Sequence, residues 1–194
     1  MNREQASNIR RTLDKGQYEM TEDGLLLKPQ RIIALGMYEH WVNGRDRRVD
    51  KNLVVDEGLM HFLDVCFHDG TKVPTWYLSL YAGAYTPVAG LTAASYPATT
   101  SEITSGTEGY TEATRVAFVE GAPAANAVSN TASKANFTIA TASQLSVNGA
   151  GLHSVSTKGA TTGILSSAVK FAATRTLYDT DVFTLGYSVA LASA

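Results

Sequence analysis

Apolar and polar residues alternate with a period of two over much of this chain, which is the signature of strands with one buried face. The cleanest run is near the C-terminal end, where Phe183, Leu185, Tyr187, Val189 and Leu191 share one face against Thr184, Gly186, Ser188 and Ala190. Trp76, Leu78 and Leu80 alternate likewise with Tyr77, Ser79 and Tyr81, as do Ala135, Phe137 and Ile139 with Asn136 and Thr138. Further strands are predicted over residues 113–120, 151–156 and 164–171. Upstream, extended pattern runs from Leu25 through a break at Pro29 to Val42. Asn43-Gly44 then forms a hairpin turn, because both residues tolerate positive φ, and a returning strand is expected over residues 49–55.

One stretch changes period. Leu59, Phe62, Leu63 and Cys66 fall at i, i+3, i+4 and i+7, predicting a helix over about residues 56–67 with Asp56 as its cap and Glu57 at its positive end. That stripe is expected to pack on a sheet, with Cys66 as a small buried hydrophobe. The Ala-, Thr- and Ser-rich stretch 82–105 has little periodicity and reads as a long surface loop. Residues 1–24 read as a polar arm, ordered on a partner if at all, and residues 25–194 as the β-domain. Many short strands joined by Gly, Pro, Ser and Asn indicate a mainly all-β, antiparallel two-sheet sandwich, jelly-roll-like, with one short helix and an extended N-terminal arm. No repeat of fixed period runs along the chain, which argues against solenoids and propellers.

Composition adds a second asymmetry. Residues 1–60 hold ten of the sixteen Lys and Arg and ten of the eighteen Asp and Glu, so the rest of the 194-residue chain is sparsely charged and rich in Ala, Thr, Ser and Gly. Short neutral side chains lose little entropy when another protein covers them, which suits burial in an assembly; a free domain whose Thr and Ser face water has the same composition. A net charge of -2 removes the global attraction for phosphate that nucleic-acid binders show. No apolar run is long enough for a bilayer span, and the first ten residues, polar in character with no apolar core to follow, do not resemble a secretory signal. The single cysteine, Cys66, excludes an internal disulfide framework and a zinc site built on paired cysteines.

The chemistry-bearing residues are scattered. His40 and His153 alternate with apolar strand neighbours and read as half-buried strand residues rather than bases. Asp64, His68 and Asp69 cluster at the helix end, but metal sites need three or four ligands with support behind them, and His68 is already accounted for beside a helix C-terminus. Neither a metal nor another cofactor is expected, and no nucleophile with a paired acid and base points to an enzyme. The stretch 157–163 has its lysine, Lys158, before rather than after the glycine of a phosphate loop and is expected to be a turn between strands. Arg45, Arg47 and Arg48, interleaved with Asp46 and Asp50, form either a solvated hairpin tip or a set of planar donors gripping carboxylates on a partner. Arg10 and Arg11 are candidates for the same role in the arm.

Asn52-Leu-Val-Val-Asp-Glu-Gly-Leu59, Leu63-Asp-Val65 and Thr75-Trp-Tyr-Leu-Ser-Leu80 resemble a group of small β-rich proteins encoded among tailed-phage virion genes. The likeness continues in Thr111-Glu-Ala-Thr-Arg115, in residues 128–135 and in residues 157–165, and covers roughly residues 35–194. These motifs carry no chemistry. Some members of the group are similar to cement or decoration proteins, so the resemblance implies a structural protein on the virion capsid exterior, made in the host cytoplasm. Its partners would be the major capsid protein and further copies of itself, as a dimer or trimer, and neither nucleic acid nor a membrane. The arm is then expected to lie across neighbouring capsid subunits and fold on contact. The alternative is a tail, neck or fibre component that binds host surface glycans, with Tyr77, Tyr81, Tyr85, Tyr96 and Tyr110 as stacking platforms.

Overall fold

The computed structural model describes residues 32–193, together with Glu19, Met20, Glu22, Leu26 and Leu27. Arg10 and Arg11, and most of the expected arm, lie outside the described residues. The chain divides into two compact units, Ala34–Ala190 and Met1–Ile33 with Leu191–Ala194. In the smaller unit β1 (Glu19–Met20) pairs antiparallel with β2 (Leu26–Leu27), so a pairing spans the boundary expected at residue 24.

The larger unit is built on two antiparallel sheets. One has the order β4 (Arg45–Lys51), β3 (Ile32–Val42), β13 (Val182–Ser193), β10 (Ala135–Ala140), β7 (Gly109–Tyr110), with β9 (Ala127–Ser129) also paired to β13. The other has the order β5 (Leu53–Val54), β12 (Leu165–Leu177), β11 (Leu145–His153), β6 (Trp76–Tyr81), β8 (Val116–Phe118). The long strands β3 and β13 are neighbours. The β11–β12 pair stays within one sheet.

Period-two alternation explains the core between the sheets. Leu78 and Leu80 of β6, Phe137 and Ile139 of β10, Val169 and Phe171 of β12, and Phe183, Leu185 and Tyr187 of β13 form one buried cluster with Tyr38 of β3. The hairpin turns at Asn43 and Gly44 with φ of 49° and 72°, as that dipeptide demands. Its return strand begins at once with Arg45 and is broken at Asn52, earlier than the expected 49–55.

A second apolar cluster lies outside the five-stranded sheet, where Val55, Tyr81, Leu91, Ala93, Tyr96, Leu165 and Ala168 pack together. The segment after β6, expected as a surface loop, is the cover of this layer. It contains a second short helix, α2 (Tyr96–Thr100), and buries Leu91, Ala93, Tyr96 and Ile103. Gly149 and Gly151, two apart on β11, make room for it: a Cβ would stand 2.2 Å from the Tyr81 ring at Gly149 and 2.8 Å from the Tyr96 ring at Gly151.

The expected helix is present as α1 (Asp56–Phe67), but two details differ. Its N-cap is Val55 and no side chain caps it, so Asp56 stands one residue inside the helix. The stripe meant for the sheet faces away from it: Leu59, Met60, Phe62, Leu63 and Phe67 are exposed, and so is Cys66, which is therefore not a core residue. Among the described residues no helix is long and apolar enough to cross a membrane.

Candidate interaction surfaces and buried polar clusters

Three buried polar clusters hold the larger unit together. In the first, Arg115 precedes β8 and Glu102 follows α2, and their side chains are both fully buried. The guanidinium grips the carboxylate with two parallel bonds of 2.8 Å, and it donates further to the carbonyls of Val155 (3.0 Å) and Ala160 (3.3 Å). A bidentate pair with its outer donors also satisfied is the form in which a buried ion pair is tolerated. Lys158, in the turn between β11 and β12, lies 3.6 Å from the centroid of the Tyr110 ring and donates to the Tyr110 carbonyl at 2.8 Å. The stretch 157–163 is thus a turn between strands, as expected.

The second cluster is Ser79, His153 and Tyr96, beneath α2. Ser79 Oγ donates to Tyr96 Oη at 2.9 Å and stands 2.9 Å from His153 Nε2. Because the hydroxyl proton is committed to Tyr96, Nε2 carries the imidazole proton and Nδ1 is left bare; Nδ1 is a buried atom with no hydrogen-bond partner. Burial, reinforced by the charge of Arg115, pushes the His153 pKa well below its ordinary value, so the ring is neutral. With its proton on Nε2 the imidazole has no lone pair toward Ser79 and cannot act as its base, and both residues are buried beside the Tyr96 ring, which meets the imidazole edge-on at 4.5 Å. The arrangement pins α2 to the sheet.

The third cluster links the two sheets. His40 on β3, fully rather than half buried, stacks on Phe171 of β12 at 3.9 Å. Its Nε2 bonds to Asp50 at 2.9 Å, and its Nδ1 accepts from Arg175 Nε at 2.9 Å. Arg175 also donates to Asp46, and Asp50 accepts the Ala172 N–H at 2.9 Å, so β4 is tied to β12 through side chains.

Outside, the sequence-predicted arginines lie along β4 and are divided by their partners. Arg47 bonds to Glu39 of β3, with Nε at 2.9 Å, and Arg48 bonds to Asp46 at 2.9 Å. Any external carboxylate has to compete with these contacts; Arg45 is exposed at the hairpin tip. At the end of α1, His68 bonds to Asp64 at 2.9 Å, both exposed. Among the described residues no group of three or more His, Cys, Asp and Glu is arranged to hold a metal ion. Of the five tyrosines considered as stacking platforms, Tyr81, Tyr96 and Tyr110 are fully buried and Tyr77 and Tyr85 half-buried.

The feature that the sequence reading missed is the amount of large apolar side chain on the outside. Leu35 (54% exposed), Met37 (48%) and Val49 (49%) stand on the outer face of β3 and β4, in addition to the outward side of α1. Gly58 was the available signal for the helix, since a glycine inside a helical pattern costs about 1 kcal/mol and marks a close approach. No protein-family model, curated protein or solved structure matches the chain.

Proposed function

We propose that this chain is a structural protein of a tailed-phage particle that binds the outside of the capsid and reinforces it. The observation that carries the reading is the apolar exterior of the sandwich, with Leu35, Met37 and Val49 on the outer face of one sheet and five large apolar residues on α1. Apolar patches of this kind on a folded domain mark surfaces that another protein covers. Two further features support it: the sparse charge after residue 60, and the resemblance of residues 35–194 to small virion proteins. The effect is thermodynamic. Contacts that span neighbouring shell subunits exist only in the assembled shell, so binding stabilises that state by mass action, and repetition over a symmetric lattice turns weak contacts into firm attachment. Major capsid protein is the partner, the chain itself self-associates as a dimer or trimer, and no catalytic step is involved.

The glycan-binding tail alternative loses three of its five aromatic platforms to the core. The test is to mix purified full-length chain with shells assembled from major capsid protein. Attachment in proportion to shell subunits, with a raised shell melting temperature, is the expected result; absence of attachment, or attachment of only a small fixed number of copies per shell, refutes the reading. Deleting residues 1–20 should weaken attachment and leave the sandwich folded. The Arg45, Arg47 and Arg48 triple alanine variant should attach more weakly with a reduced salt dependence if these arginines touch the shell. Unchanged affinity and salt dependence assign them to a solvated tip.

A further inference from the structure

Helix α1 is turned with its apolar side outward, and its orientation is fixed from below. Gly58 lies so close to β12 that a Cβ there would stand 2.3 Å from the Ser166 carbonyl oxygen. Glu57 accepts the backbone N–H groups of Ala93 (2.8 Å) and Leu165 (2.7 Å), and His61 meets the Trp76 ring edge-on at 5.7 Å. The inward side is therefore glycine, carboxylate and imidazole, with Val65 half-buried beside them. The outward side is Leu59, Met60, Phe62, Leu63, Cys66 and Phe67. A helix of 12 residues held by these contacts cannot roll its apolar side inward without losing both backbone bonds to Glu57.

The charged side chains of the helix itself are acidic. Helix α1 carries Asp56, Glu57 and Asp64 and no lysine or arginine, and Asp69 follows it; Lys51 and Lys72 stand beyond the two ends of this stretch. Asp56, Asp64 and Asp69 are exposed around the apolar side chains. Two copies meeting through this face would bring the aspartates together, and an anionic lipid surface would be repelled for the same reason. A partner with apolar residues at its centre and cationic ones at its edges meets neither obstacle.

We propose that the outward face of α1 is a docking site for an amphipathic, basic helix of another protein, whose apolar stripe covers Leu59, Phe62, Leu63 and Phe67 while its Lys or Arg residues meet Asp64 and Asp69. This rests on the reading of the chain as an assembly component and adds the chemistry of the partner segment: in a capsid, a basic amphipathic helix of the shell protein. Packing of apolar residues spaced three and four apart into a complementary face is the general mode of such recognition.

The test uses the full chain and two synthetic helical peptides of one length and stripe, one of leucine and lysine, the other of leucine and glutamate. The lysine peptide should bind at least tenfold more tightly than the glutamate peptide. The Leu63→Ser/Phe67→Ser variant should lose at least tenfold of that affinity with unchanged circular dichroism and melting temperature, since Leu63 is 50% and Phe67 77% exposed. Asp64→Asn/Asp69→Asn should weaken the lysine peptide alone. Equal binding of the two peptides, or undiminished binding by the serine variant, overturns the proposal. So does a dimer of the wild-type chain that the serine substitutions dissolve, or preferential binding to phosphatidylglycerol vesicles. Shells separate this inference from the one beneath it: failure of the wild-type chain to attach refutes the capsid reading and leaves the peptide result standing. Attachment of the serine variant with unchanged affinity refutes the α1 site and leaves the capsid reading standing.

Discussion

At the scale of single residues, the buried Arg115–Glu102 pair holds together segments far apart in sequence, since its guanidinium also ties down Val155 and Ala160. Removing one partner leaves a charge in a site closed to solvent, which costs roughly 3–5 kcal/mol, whereas removing both leaves no charge behind. Urea unfolding should therefore show large losses for Arg115→Met and Glu102→Leu singly, and a double variant less destabilised than either; additive small losses would show the pair to be incidental. His153 gives a pH prediction. Its folded pKa is held well below the unfolded value of about 6.5 by burial first and by Arg115 second. Between those two values the unfolded chain binds the extra proton, so the stability is whole above about pH 6.5 and falls as the pH drops below it. His40, lowered mainly by burial against the opposing bond from Asp50, acts in the same direction. The melting temperature should fall on going from pH 7 to pH 5, and fall less in His153→Gln; equal falls would place the acid sensitivity elsewhere. The sequence indicated that both histidines belong to strands, but not their partners, because Ser79 and Arg175 reach them only once the strands are paired.

At the scale of elements, periodicity was a good guide to existence and a poor one to facing. The C-terminal strand, the Asn43–Gly44 hairpin and helix α1 follow from local pattern, because turn chemistry and apolar spacing act within a few residues. Strands β11 and β12 run longer than their expected segments, for two local reasons. Gly149 and Gly151 replace apolar residues where Tyr81 and Tyr96 must fit, and between Lys170 and Arg175 the register of β12 against β11 shifts. The side of α1 that faces the sheet could not be read, since an apolar stripe says that something covers it and not what. Gly58 decides the matter physically. In Gly58→Val the new Cβ stands 2.3 Å from a backbone carbonyl, so the helix must lift and disturb both Glu57 contacts, at a cost of about 1–3 kcal/mol. Met60→Ser, on the open side, should stay within about 0.5 kcal/mol of the parent. A lower urea midpoint for the first and an unchanged one for the second is the expected pattern; a loss at Met60 would mean that the outward side is already covered within the chain.

At the scale of the whole molecule, two kinds of surface compete to explain attachment, and they differ in thermodynamic signature. The arginines of β4 would contribute charge-assisted contacts that salt weakens, while Leu35, Met37, Val49 and the outward side of α1 would contribute apolar burial. Two of the arginines already bond to carboxylates of their own chain, so an external carboxylate would replace one such contact with another of similar worth. The apolar residues gain from cover without losing any contact they now make. Burial of apolar surface carries a negative heat-capacity change, which is the more dependable marker because enthalpies alone compensate. Calorimetric titration of shells with the chain at several temperatures should therefore give a binding enthalpy that becomes more favourable on warming, with an affinity that falls only modestly between low and physiological salt. An enthalpy independent of temperature combined with a steep loss of affinity in salt would assign attachment to the arginines of the hairpin, and the apolar exterior would then need another partner.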